Sequence, residues 1–116
     1  MKKVYYLSTC DTCKRIMKEV GVDDSFVQQD IKTEPITAGQ IDEMKNLAGS
    51  YEALFSRVAR KYKSMGLKDK NLGEADYRNY ILEEYTFLKR PVFIIDDDIF
   101  IGNSKKNVEA LKARLG

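Results

Sequence analysis

The sequence predicts an α/β chain in which a β-α-β unit and a β-β-α unit flank an all-helical insert. Three observations carry that reading. Short, β-rich apolar runs stand near both ends, at residues 4–7 and 92–95. Between residues 36 and 89 the apolar positions recur at helical spacing. Three consecutive aspartates then separate the run at 92–95 from a second one at 99–101, the pattern of a hairpin.

The elements follow in order. Val4-Tyr5-Tyr6-Leu7 is a buried strand and Ser8-Thr9 a loop. From Asp11 the pattern turns helical, with Ile16, Met17 and Val20 on one face and Lys14, Arg15, Lys18 and Glu19 on the other. Gly21 ends that helix. Residues 26–31 form a second strand with Val27, Gln29 and Ile31 on one side, and its polar content marks it as less buried. Thr37-Ala38-Gly39-Gln40 fits a capping box with Ile36 and Ile41 as its hydrophobic staple, and the helix runs through Met44 and Leu47 to Gly49. Residues 51–56 and 57–65 read as two short helical pieces ending at Gly66. A longer helix opens at Asn71 or Gly73 with Tyr77, Ile81, Tyr85 and Leu88 on one face. After the second hairpin strand, Ser104 is the expected N-cap of a last helix that buries Val108, Leu111 and Leu115.

At 116 residues the chain is expected to form one domain, with a core from residues 1–35 and 89–116 and the insert at 36–88. Hydrophobic residues make up 43% and charged residues 33%, the balance of an ordinary globular protein. A net charge of +2 offers no electrostatic case for nucleic acid or an anionic membrane. No apolar run approaches the ~18 residues of a membrane span, and the start shows no signal-peptide core, so a cytoplasmic monomer is expected.

The sequence has no histidine. That removes Ser-His-Asp and Cys-His catalysis and every histidine-containing metal site. The two cysteines, Cys10 and Cys13, cannot close a four-ligand zinc site within one chain, so no metal is expected. Asp96-Asp97-Asp98 is read as a turn rather than a cation site. The cluster of Arg57, Arg60, Lys61 and Lys63 is read as a solvated face.

Chemistry therefore converges on Cys10-Asp11-Thr12-Cys13, between the first strand and the first helix. A C-x-x-C pair beside a βαβ pattern reads as a redox motif. Cys10 stands at the helix start, where free N–H groups and the positive end of the helix dipole stabilise a thiolate. Cys13 lies one turn further in. Cys10 is thus the expected nucleophile and Cys13 the resolving thiol. The backbone N–H groups of Asp11 and Thr12, with Pro91, are the expected substrate contacts. The competing reading is two structural thiols acting as small hydrophobes.

A βαβ unit joined to a ββα unit, with a cysteine just past the first strand, is a thioredoxin-like plan. In such folds a cis proline faces the nucleophilic cysteine, so the Arg90–Pro91 bond is expected to be cis, with Arg90 pointing near Cys10 as a thiolate-stabilising charge and oxyanion donor. The chain further resembles the ArsC/Spx family of arsenate-reductase-related proteins. Four segments carry the resemblance: Cys10 to Cys13; Phe55 through Tyr62 to Met65-Gly66-Leu67; Lys89-Arg90-Pro91; and Ile101-Gly102.

The resemblance implies a thiol-dependent oxidoreductase with no bound cofactor, reduced by external glutathione or by thioredoxin or glutaredoxin, and acting on a small thiol, an oxyanion or a redox partner protein. Glutathione-linked arsenate reductases of the family hold their oxyanion with three arginines. Arg90 matches one of them, whereas Ser56, next to Arg57, and Asn103 stand at the other two positions. Charge-assisted hydrogen bonds contribute ~1.5–3 kcal/mol each, so weak or absent arsenate reduction is expected. Spx-type members use a C-x-x-C pair as a redox switch and bind the RNA polymerase α subunit. That is the alternative function the resemblance implies.

Overall fold

A four-stranded sheet orders the first and last parts of the chain in the computed structural model, which describes all 116 residues. The strands are β1 (Lys2–Tyr6), β2 (Phe26–Asp30), β3 (Val92–Ile95) and β4 (Asp98–Ile101), in the spatial order β2-β1-β3-β4. β1 pairs parallel with β2 and antiparallel with β3, and β3 pairs antiparallel with β4. The parallel pair needs a crossover, supplied by helix α1 (Asp11–Val20). Two residues, Asp96 and Asp97, turn the β3–β4 hairpin, and Asp96 adopts φ 54° there. The last helix, Lys105–Leu115, closes the order, giving the expected thioredoxin-like β-α-β and β-β-α plan.

Pleating sends alternate side chains to opposite faces. Val4, Phe26, Phe93 and Ile95 meet Ile16 from α1 and Val108 and Leu111 from the last helix in one apolar cluster. Phe93 is fully buried and packs edge-on to Phe26 at 6.1 Å between ring centres. Burying such a side chain stabilises by roughly 1.5–3 kcal/mol. Gly21 ends α1 at φ 81°, which lets its N–H reach the Lys18 carbonyl and the N–H of Val22 reach that of Met17. Ser104 caps the last helix by accepting from the N–H of Asn107 at 3.1 Å.

The chain divides into two compact units, residues 1–34 with 90–116, and residues 35–89. In the second unit, α2 (Ala38–Ala48) starts on the expected capping box, with Thr37 and Gln40 each accepting the other's backbone N–H at 3.1 Å. Helices α3 (Arg60–Ser64) and α4 (Glu74–Glu83) follow, with short 3-10 turns at Glu52–Leu54, Leu67–Asp69 and Tyr85–Phe87, so the last helix of the chain is α5. The core of this unit is aromatic. Phe55 lies 4.9 Å from Tyr77, 5.1 Å from Phe87 and 5.9 Å from Tyr62, measured between ring centres. No helix is long and apolar enough to cross a membrane.

Three local expectations are corrected. Residues 51–56 are not helical to their end. Phe55 bridges Leu88, the Ser56 N–H donates to the Phe87 carbonyl and the Lys89 N–H to the Leu54 carbonyl, so the chain is drawn out of the helix there. Helix α3 starts at Arg60 rather than 57, after Ala59 in an extended conformation. Tyr85 and Leu88 do not continue the face of Tyr77 and Ile81, because Glu84 turns extended at φ −142° and ψ 111°.

Candidate functional site

The turn between β1 and α1 delivers both cysteines. The Cys10 N–H donates to the Leu7 carbonyl at 3.0 Å, closing a β-turn with Ser8 and Thr9 at its centre. Cys10 is then extended, φ −99° and ψ 110°, and serves as the N-cap of α1, its carbonyl accepting from Lys14 at 3.2 Å. An N-cap side chain normally reaches back to the orphan N–H groups of the first turn. Here that side chain is a thiol, and it makes no capping hydrogen bond.

The two sulfurs occupy different surroundings. Cys10 is half-buried and Cys13 has no exposed surface. Burial alone would push the Cys10 thiol up. The N–H and thiol of Cys13, the Arg90 guanidinium and the Thr12 N–H outweigh it, and Cys10 titrates below a free cysteine. For Cys13 burial dominates, and donation to Cys10 together with the charge on Cys10 adds to it. Its thiol is pushed up to about 11, against a backbone hydrogen bond at Leu7 and the charge of Arg90. Both cysteines are free thiols.

Asp11 is exposed and places a carboxylate in the first turn of α1, where the helix dipole favours it. Thr12 is half-buried, and its N–H helps to lower the Cys10 thiol. Arg90 is half-buried and Pro91 buried, and the bond between them is cis, as expected from the fold plan. The Pro91 carbonyl accepts from the Gly102 N–H at 2.9 Å, which ties that bond to the end of β4. Cys10, Cys13 and Arg90 therefore act on one another electrostatically, with Thr12 completing the set.

Ser56 and Asn103, at the two positions without an arginine, lie in different settings. Asn103 is exposed beyond β4. Ser56 is buried in the insert with its N–H on the Phe87 carbonyl at 2.7 Å. Its neighbour Arg57 is engaged locally: Nη2 lies 2.6 Å from a Glu52 carboxylate oxygen and 2.9 Å from the Tyr77 hydroxyl. The cluster read as a solvated face lines an open depression of about 560 Å³ through Arg57, Arg60 and Lys63.

Two residues of this neighbourhood, Asp30 and Ser8, escaped the sequence reading. Asp30, at the end of β2, accepts from both the hydroxyl and the N–H of Ser8 in the Cys10 turn. The hydroxyl of Ser8, first, and the N–H groups of Lys32 and Ser8 hold the Asp30 carboxylate below its usual range. The signal available was an acidic residue in a β-rich run, facing a serine two residues before the first cysteine.

The same arrangement of elements recurs in known proteins. The fold matches that of the YFFB (PA3664) protein over 100% of both chains, at 20% identity and a TM-score of 0.81. It matches an arsenate reductase (ArsC) related protein from Brucella melitensis over 94% of this chain and 92% of that one, at 24% identity and a TM-score of 0.70. An arsenate reductase from Vibrio cholerae matches over 95% and 96% of the two chains, at 15% identity and a TM-score of 0.73. No curated protein sequence matches. At these identities the structural matches speak for the fold. The sequence itself fits the ArsC family model over residues 5–111, from β1 into α5 and across both cysteines, so the chain belongs to the ArsC family.

Proposed function

We propose that this chain is a thiol–disulfide oxidoreductase in which Cys10 is the nucleophile and Cys13 the resolving thiol. The observation that supports it best is the asymmetry of the pair: a half-exposed thiol held below the usual cysteine range beside a buried one held above it. The thiolate is the reactive form, so Cys10 attacks first. It bonds to one sulfur of a substrate disulfide, that S–S bond breaks, and the other half leaves as a thiolate. Cys13 then gives up its proton and attacks the Cys10 sulfur. The bound half leaves as a thiolate and a Cys10–Cys13 disulfide forms. Two external thiols, as from glutathione or a thioredoxin or glutaredoxin, return both cysteines to the reduced state and leave as a disulfide.

Arg90 serves as the fixed charge beside the attacking sulfur. The N–H groups of Asp11 and Thr12, beside Pro91, are the donors for an anionic substrate group. With Ser56 and Asn103 in place of two guanidinium groups, the reading is of a disulfide or glutathione-adduct reductase, not an efficient arsenate reductase. It carries with it a monomer working in the cytoplasm without a bound cofactor. A redox-switched regulator that binds the RNA polymerase α subunit is the second reading, favoured by the presence of Cys13 beside Cys10. Oxidation-dependent capture of the carboxy-terminal domain of the polymerase α chain would support that one.

The test is a coupled NADPH assay offering a small mixed disulfide and arsenate in turn. Wild type is expected to turn over the mixed disulfide, and Cys10→Ser to abolish it. A specificity constant for arsenate above that for the mixed disulfide, lost in Arg90→Ala, would restore an arsenate-reductase reading. No turnover of either substrate would sink both.

A further inference from the structure

We propose that Asp30 is a positioning residue for the Cys10 thiol, acting through Ser8 on the turn that presents it. The proposal rests on the thiol-exchange reading and extends it to a residue outside the Cys-x-x-Cys segment.

In a β-turn closed by the first carbonyl and the last N–H, the N–H of the second residue points outward without a partner in the turn. Here the turn is Leu7 to Cys10, and the second residue is Ser8. Asp30 takes that outward N–H on Oδ1 at 3.3 Å and the Ser8 hydroxyl on Oδ2. Asp30 is itself fixed. Its Oδ1 also accepts from the Lys32 N–H at 3.2 Å, and its carbonyl accepts from Thr33 and Glu34. Its neighbour Ile31 donates to the Tyr6 carbonyl at 2.9 Å, which continues the β1–β2 pairing past the strand end. A rigid carboxylate thus holds the turn by two hydrogen bonds, one from the backbone of Ser8 and one from its side chain.

Cys10 follows Ser8 by two residues. The N–H groups of Thr12 and Cys13, which lower the Cys10 thiol without a capping hydrogen bond to it, stand beside the sulfur only while Cys10 keeps its extended N-cap conformation. Freed from Asp30, the turn samples other states, and the fraction of time in which the sulfur stands beside those N–H groups falls. A turn held on one side by β1 and on the other by α1 has Ser8 and Thr9 as its only freely adjustable residues. Asp30 removes that adjustability at Ser8.

A coulombic role would have the opposite sign. Removing a negative charge near a thiol makes its ionisation easier, whereas loosening the turn makes it harder. The direction of the effect therefore separates the two.

The test is the pH dependence of Cys10 alkylation by iodoacetamide in the full chain, in a Cys13→Ser background so that one thiol reports. Asp30→Ala is expected to lower the rate at pH 6 by roughly three- to tenfold and to move the midpoint toward that of a free cysteine. Asp30→Asn keeps an acceptor oxygen and is expected to recover most of the wild-type profile. Ser8→Ala, which retains the N–H donor, is expected to shift the profile in the same direction by a smaller amount. Should Asp30→Ala fail to fold, judged by circular dichroism, Ser8→Ala carries the test alone. Profiles for Asp30→Ala or Ser8→Ala that overlay the parent, or that move to lower pH, overturn the proposal. Alkylation requires no substrate. Loss of the positioning effect is thereby told apart from failure of the thiol-exchange reading, which shows as absent disulfide turnover by wild type.

Discussion

Each of the two units of the chain is stabilised internally by different means. The sheet unit joins strands far apart in sequence through backbone hydrogen bonds, and its cluster of Val4, Phe26, Phe93, Ile95 and the helix residues is mainly aliphatic with one aromatic pair. The insert has a single isolated bridge, Phe55 to Leu88. It relies on side chains: a ring cluster centred on Phe55, and polar links such as Arg78 with Asp42 and Glu74 with the N–H groups of Tyr51 and Glu52. A ladder fixes register whatever the side-chain details, while a ring cluster depends on shape. The candidate cysteine pair is built on the first kind of support, which suits a site where close placement of a sulfur governs its ionisation.

That contrast can be broken by substitution. Phe93→Ala opens a cavity in the sheet unit and should cost about 3–5 kcal/mol in denaturant unfolding, a large share of the roughly 5–15 kcal/mol a domain possesses. Phe55→Leu keeps apolar volume in the insert but removes three ring contacts, each contributing about 0.5–1.5 kcal/mol. A loss below that for Phe93→Ala yet clearly above that for Phe26→Leu, which removes one ring pair, is expected. Equal losses for the two leucine variants would show that ring geometry is not what holds the insert.

Smaller effects sharpen the picture. Thr37→Ala removes half of the α2 capping box and should cost about 1 kcal/mol. The smallest effect is electrostatic. Asp42 is held down to about 2 by hydrogen bonds from Arg78, first, and Tyr51. A carboxyl depressed in the folded state stabilises above its unfolded value, near 4, and loses that contribution as pH falls through its folded value. Acid titration should therefore show a step between about pH 4 and pH 2 that Asp42→Asn removes. The carboxylate is solvent-exposed, and salt should shrink the step.

Legibility followed the same division. In the sheet unit the signals are local or periodic: apolar runs for the strands, Gly21 and Ser104 as stops and starts, and a cysteine at a helix start. Each marks its own element. In the insert the capping box of Thr37 and Gln40 was equally plain. The break at Glu84 was not, since neither glycine nor proline stands there. The extended conformation is accompanied by partners distant in sequence or just beyond it, Lys61 at 2.8 Å and the Thr86 hydroxyl at 3.1 Å. Phe55 left its helical pattern for the same kind of reason, a backbone partner more than thirty residues on. Asp30 was missed because its meaning lies in Ser8, 22 positions earlier. Pairing across such distances leaves no trace in local spacing.

The absence of histidine gives the placement of Cys10 a wider consequence. Carboxylates ordinarily titrate near pH 4 and amines near 10. The fold moves Asp23, Asp30, Asp42, Glu84 and Asp96 further down, and Tyr51, Arg57, Lys61, Arg78, Arg114 and Cys13 further up. Cys10 alone, of the side chains so displaced, moves toward neutrality. Under the proposed thiol exchange, closing the pair to a disulfide in the interval between the two thiol ranges releases one proton with the two electrons, instead of two protons. The midpoint potential of the couple should accordingly change with pH at half its acid-side slope, and the pH at which the slope halves marks the ionisation of Cys10.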